Sequence, residues 1–77
     1  MISIDNIRDH MPIVDSDGIQ FAKVDHMDGA DTIKLTKDNM GHHHWIPMTW
    51  VTEVDKEVHV DRPQSKAMHD WLSAPPA

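Results

Sequence analysis

The residues of this 77-residue chain that can do chemistry are mostly histidines and aspartates, and the densest run is His42-His43-His44. On an extended strand His42 and His44 project to one face. Neutral imidazoles spaced that way can chelate zinc, copper or nickel, and a closed site needs further ligands. His26 or His59 can supply one. The plainer alternative is a polar strand entry that ends in Trp45. Seven histidines also add seven positive charges to a formal −6 when all are protonated. That swing is centred near pH ~6.5 for free imidazole, so pH-sensitive assembly is a third, weaker expectation.

Aspartates cluster at Asp15/Asp17 and at Asp25/Asp28/Asp31. Calcium needs six or more oxygens in a defined loop, and neither cluster follows the twelve-residue pattern that ends in glutamate. They read as solvated turn residues. His59 with Glu57, or His26 with Asp28, can be drawn as acid–base pairs, but such pairs matter only where a pocket shifts their titration. No Gly-x-Ser-x-Gly turn is present, and three glycines make no phosphate-binding loop. The expectation is therefore no catalytic residue, no enzyme and no cofactor.

Composition narrows the classes further. There is no cysteine, which excludes a disulfide scaffold, a thiol enzyme and a cysteine-ligated zinc finger. Thirteen acids face seven bases, and no two bases are adjacent. Phosphate binding needs a basic patch, so nucleic acid is not an expected partner, and anionic membranes are disfavoured for the same reason. No stretch approaches the ~20 apolar residues of a membrane helix. The N-terminus lacks the basic flank and apolar run of a signal peptide, so a soluble, cytoplasmic chain is expected. A chain this short buries only about 60% of its unfolded surface, which leaves little core around any enclosed cavity.

The elements that position these residues follow from periodicity and turn chemistry. Residues 3–10 read as a short helix capped by Ser3, stapled by Ile2 and Ile7, and ended by Pro12. Ile13-Val14 is a short apolar run, Asp15-Ser16-Asp17-Gly18 a turn, and Ile19 to Met27 a strand. Ile19 and Phe21 share a face while Val24 falls on the other, so a bulge is expected near Ala22-Lys23. Thr32-Ile33-Lys34-Leu35-Thr36 alternates cleanly. Lys37 to Gly41 is a loop, His43 to Pro47 an extended segment, and Trp50–Val54 with Glu57–Val60 a hairpin around Asp55-Lys56. Pro63 opens a closing helix whose stripe is Ala67, Met68, Trp71 and Leu72. One domain over residues 1–72 is expected, with 73–77 a disordered tail.

Met1-Ile2-Ser3, Asp15-Ser16-Asp17-Gly18, Val24-Asp25, Ile33-Lys34-Leu35-Thr36, His43 to Met48, Trp50-Val51 and Val54-Asp55 together resemble a bacterial family of short uncharacterised domains, DUF2171. That family is similar to the PRC-barrel domains, and the likeness spans roughly residues 1–62. It implies a mainly β fold: a small PRC-barrel-like β-barrel of five to six short strands, with a short N-terminal helix and a C-terminal helix. It also implies docking to a protein partner or to itself as a homo-oligomer, a dimer being the simplest, and no established activity. Of Trp45, Trp50 and Trp71, at least two are expected in the core. Trp45, with Pro47, is the expected interface, because Ile46 claims the inward side of its strand. A metal-binding protein using His42 and His44 is the alternative.

Overall fold

The alternation in Thr32-Ile33-Lys34-Leu35 does form a strand, and its apolar residues sit at the centre of the protein. The computed structural model describes residues 6–75. Over these the chain forms β1 (Pro12–Val14), β2 (Gln20–Met27), β3 (Thr32–Leu35), β4 (Trp45–Pro47), a 3₁₀ turn (Met48–Trp50), β5 (Val51–Val54), β6 (Val58–Val60) and α1 (Gln64–Asp70). The strands make one six-stranded sheet in the order β4-β3-β2-β1-β6-β5. β1 and β6 run parallel, and every other neighbouring pair is antiparallel.

β2 does the bending. Its first half pairs with β1, placing Ile13 opposite Ala22, and its second half pairs with β3, placing Met27 opposite Ile33. Phe21 is an extra residue in the first ladder and Asp25 in the second. Such insertions bend a strand and sharpen its twist. The two bulges therefore flank the expected position at Ala22-Lys23. The curled sheet closes over Ile13, Val24, Ile33, Leu35, Ile46, Val58 and Val60, each at most 2% exposed. Ala67 of α1 joins this core, as do Trp50 and Val51.

The expected barrel does not close. The 3₁₀ turn links the two edge strands β4 and β5, yet no ladder joins them. β4's outer edge is already used, because the Trp45 amide donates to the Leu72 carbonyl at 3.0 Å and the Leu72 amide returns a bond at 2.9 Å. Pro47 then ends the strand without an N–H to offer. The architecture is an open mixed sheet with one C-terminal helix.

The N-terminal helix is a second correction. Ser3 and the staple from Ile2 lie outside the described residues. From residue 6 onward, among the described residues, there is no α-helix before β1. Instead His10 takes a positive φ of 67°, and its amide donates to the Val24 carbonyl at 2.7 Å, drawing the segment across β2. That long-range bond competes successfully with a helix of eight residues, which is unstable alone. Ile7 still reaches the core.

At the C-terminal end, Pro63 is the residue before the helix rather than its first residue. It carries no side-chain cap. The cap comes from Asp15, whose Oδ2 accepts the Gln64 amide at 2.8 Å across 49 residues. Asp15 Oδ1 accepts the amides of Asp17 at 2.9 Å and Ile19 at 2.8 Å. Only 2% of Asp15 is exposed. Next to it the Ser16 amide donates to the Arg62 carbonyl at 3.1 Å, and the Arg62 guanidinium lies 3.8 Å over the Trp50 ring. These bonds weld the first turn, the 3₁₀ turn and the helix start into one corner. The tail expected over 73–77 falls partly on residues 76–77, outside the described residues.

Asp15→Asn replaces one acceptor oxygen with an NH₂ that faces a backbone donor. Stranding buried amides is costly, so the melting temperature of the variant should fall by about 10 °C or more. Thermal unfolding followed by circular dichroism checks this, and a shift within about 2 °C contradicts it.

Candidate functional site

The same turn chemistry recurs at the loop that carries the histidines. In both Asp15-Ser16-Asp17-Gly18-Ile19 and Asp38-Asn39-Met40-Gly41-His42 an aspartate is followed by glycine at the fourth position. Gly18 and Gly41 have φ of 81° and 80°, a region other residues enter only with strain. In each turn the aspartate amide donates to the carbonyl of the fifth residue, and the glycine amide donates back to the aspartate carbonyl. Asp38 Oδ1 accepts the amides of Met40 at 2.8 Å and His42 at 3.0 Å. Its Oδ2 reaches a third partner, His44 Nε2, at 2.7 Å.

Asp38 thereby decides where the histidines go. Residues 42–44 are irregular rather than a strand, so the expected shared face of His42 and His44 is not formed. His42 is exposed. His44 is 8% exposed and stacks on Trp71, with ring centroids 3.9 Å apart and planes within 12°. A metal on Nε2 of His44 must displace Asp38. His43 lies between these extremes, its Nδ1 2.7 Å from the Leu35 carbonyl. Of the further ligands considered for His42 and His44, His26 sits beside Asp25 at 3.5 Å, and His59 sits in the β5–β6 hairpin with Asp55 and Glu53.

The expected interface residues are placed as follows. Trp45 is 8% exposed, as is Trp50, and Trp71 is half-buried between His44 and Phe21. Ile46 does point inward and is fully buried, but at 8% exposed Trp45 offers little surface either. The Trp45 ring has Lys34 Nζ 5.8 Å from its centroid. Pro47 is half-buried. His44 Nδ1 and Trp45 Nε1 are buried without a partner, both where Trp71 and Leu72 cross β4.

Large apolar side chains are exposed elsewhere, at Ile19 (49%), Met68 (47%), Leu72 (42%) and Met40 (78%). One carboxylate links Ile19 to the helix that carries Met68. The amides of Ile19 and Gln64 both bond Asp15, so Ile19 stands beside the start of α1. Met68 follows Gln64 by one helical turn, and Leu72 lies just beyond the helix end, bridged to Trp45. The predicted stripe therefore splits: Ala67 is fully buried and Trp71 half-buried, while Met68 and Leu72 face solvent. Periodicity alone could not divide that stripe. The role of Asp38 was missed as well, although its Asp-x-x-Gly spacing, shared with Asp15, is visible in the sequence. No cavity opens among the described residues, and no helix among them is long and apolar enough to cross a membrane.

Fold and surface together define a small open-sheet β domain with a single docked helix and aspartate-pinned turns. Residues 7–68 match the model of a family described as an uncharacterized protein conserved in bacteria, DUF2171, and the chain belongs to that family. No curated protein and no solved structure matches it. The likeness to PRC-barrel domains rests on the sequence motifs alone.

Several carboxyls titrate low. The His42 amide, then the His44 side chain, hold Asp38 at about 2 rather than 3.8. Burial pushes Asp15 upward, but the amides of Ile19, Gln64 and Asp17 outweigh it and leave the group below its ordinary value. A depressed folded-state value stabilises the protein above the unfolded value and stops doing so as pH falls through the folded one. The melting temperature should thus hold down to about pH 4 and then drop toward pH 2. Asp38→Ala should lower it by about 5–10 °C at neutral pH and flatten the acid slope. Melts at pH 7, 4 and 2.5 test this, and a wild-type value unchanged at the lowest pH contradicts it.

Proposed function

We propose that this domain works by surface contact rather than by turnover, and that it self-associates through the face made by Ile19, Met68 and Leu72. One observation carries the reading: these three large apolar side chains, each 42–49% exposed, sit on the docked helix or on the segments that flank it, Ile19 beside its start through the shared Asp15 carboxylate and Leu72 just after its end. Burying the rest of each side chain stabilises a complex by roughly 1 kcal/mol. The helix itself is held rigidly by Asp15 at its start, Ala67 in its middle and the Leu72–Trp45 bridge after its end. A preorganised face loses little freedom when it docks. The filled interior also favours a role played by the exterior.

The patch is small beside the ~800 Å² per partner of a standard stable interface, so association is weak and transient. The formal charge of −6 opposes it as two copies approach. Added salt screens that repulsion and tightens an apolar contact, the reverse of what salt does to an interface built on ion pairs. A different protein with a matching apolar face and a basic rim would dock on the same residues.

Sedimentation equilibrium of the untagged chain from about 10 μM to 1 mM is the test, the affinity range expected of so small a patch. The weight-average mass should climb from monomer toward dimer, more steeply at about 0.5 M salt. Met68→Glu with Leu72→Glu should abolish the climb while leaving the fold intact, since both side chains are exposed. A mass that stays monomeric throughout contradicts the reading.

A further inference from the structure

The geometry points to a divalent cation site, of the zinc class, at the tip of the β5–β6 hairpin, formed by His59 Nε2, an Asp55 carboxylate oxygen and Glu53 Oε2. It does not involve the association face, and its failure would leave the proposed self-association standing. One ligand atom from each residue lies within 4.8 Å of the other two. His59 Nε2 is 3.0 Å from Asp55 Oδ1 and 3.8 Å from Glu53 Oε2. Donors that share one ion at about 2.0–2.2 Å stand about 3.0–3.5 Å apart, so the first spacing already fits. The second needs only a small rotation of Glu53, whose side chain is 66% exposed.

The hairpin produces this arrangement from local rules. Glu53 and His59 are opposite one another in the β5–β6 ladder. Asp55 is the first residue after β5, and its Oδ1 lies 3.0 Å from His59 Nε2. A register shift between Val51 and Glu53 sets that pairing. The Thr52 hydroxyl, 3.4 Å from the His59 carbonyl, and the Glu57 amide, 2.9 Å from Asp55 Oδ1, hold the two sides of the tip.

Charge is the second reason. Among the described residues, His59 is the sole ion-pair partner of both Glu53 and Asp55. Lys56, in the turn itself, pairs with neither carboxylate. Two carboxylates thus share one imidazole, and a dication supplies the missing positive charge.

The donor set identifies the ion. One imidazole nitrogen with two carboxylate oxygens suits zinc and its first-row neighbours, whereas calcium and magnesium prefer oxygen alone. β5 is an edge strand, so the remaining coordination positions face solvent. Water fills them, or a donor from a second molecule does. Binding requires the neutral imidazole and therefore weakens in acid.

The experiment is a calorimetric titration of Zn²⁺ into the untagged full-length chain near neutral pH, paired with Mn²⁺ line broadening of its backbone amides. One saturable Zn²⁺ site is expected, with broadening centred on residues 53–59. His59→Ala and Glu53→Gln should each weaken Zn²⁺ at least ~10-fold, as removal of even an indirect partner does at metal sites. Glu53→Gln alters only an exposed side chain and keeps the test valid if His59→Ala misfolds. His42→Ala with His44→Ala should leave the affinity within about twofold. No saturation by about 1 mM Zn²⁺ overturns the site. So does broadening centred on residues 42–44, or abolition of binding by the double variant.

Discussion

A single buried carboxylate holds this protein's geometry together. Asp15 takes N–H groups from Asp17 and Ile19 in its own turn and from Gln64 at the start of the helix. A buried anion is tolerated only when hydrogen bonds replace its water. These three donors do so, and in doing so they join the two ends of the chain. The helix start is thereby placed against the β1–β2 turn, which leaves Ala67 in the core and Met68 and Leu72 outside it. Asp38 repeats the arrangement with an imidazole as its distant partner. One turn type, used twice, ties first the helix and then the histidine loop to the sheet.

The sheet's two edges are treated differently, and this shapes what the surface can do. β4 ends at a proline and is covered by Leu72, so its outer hydrogen-bonding groups are not offered to another chain. Among the described residues β5 has no neighbour on its far side. It is short, bulged and carries Glu53, features that discourage strand-on-strand pairing. What remains is side-chain chemistry: exposed apolar residues at Met68 of α1 and at Ile19 and Leu72 beside it, and an acidic, imidazole-bearing hairpin tip on β5–β6. On the two proposals made above, the first surface answers to salt and the second to metal, independently of one another.

Much of this architecture was legible in the residues. The alternation at Thr32–Leu35, the valines around Asp55-Lys56 and the apolar stripe after Pro63 each produced the element expected, because each signal is local. Burial of Trp50 agrees with a core poor in other aromatics, whereas Trp45, expected at an interface, is only 8% exposed. What escaped depends on distant partners. Nothing within residues 6–10 reveals that the His10 amide bonds Val24. Nothing near Pro63 reveals its cap 49 residues away. The barrel is open where Leu72, not β5, bonds the outer edge of β4, a contact between elements far apart in sequence. The histidine loop is the local exception: Asp38 bonds the His42 amide and the His44 ring and leaves residues 42–44 irregular, although its Asp-x-x-Gly spacing stands in the sequence.

The claim on which the rest stands is that the Asp15 carboxylate fixes the first turn of α1. Native-state hydrogen exchange at the Gln64 amide measures it directly. First-turn amides of a helix ordinarily lack a partner and exchange freely. Here Gln64 should exchange about as slowly as the amides of the sheet, while Ser65, its neighbour in the same turn, exchanges fast. Equal, rapid exchange at both positions would show the carboxylate unbound and the helix undocked, and the account would not survive it.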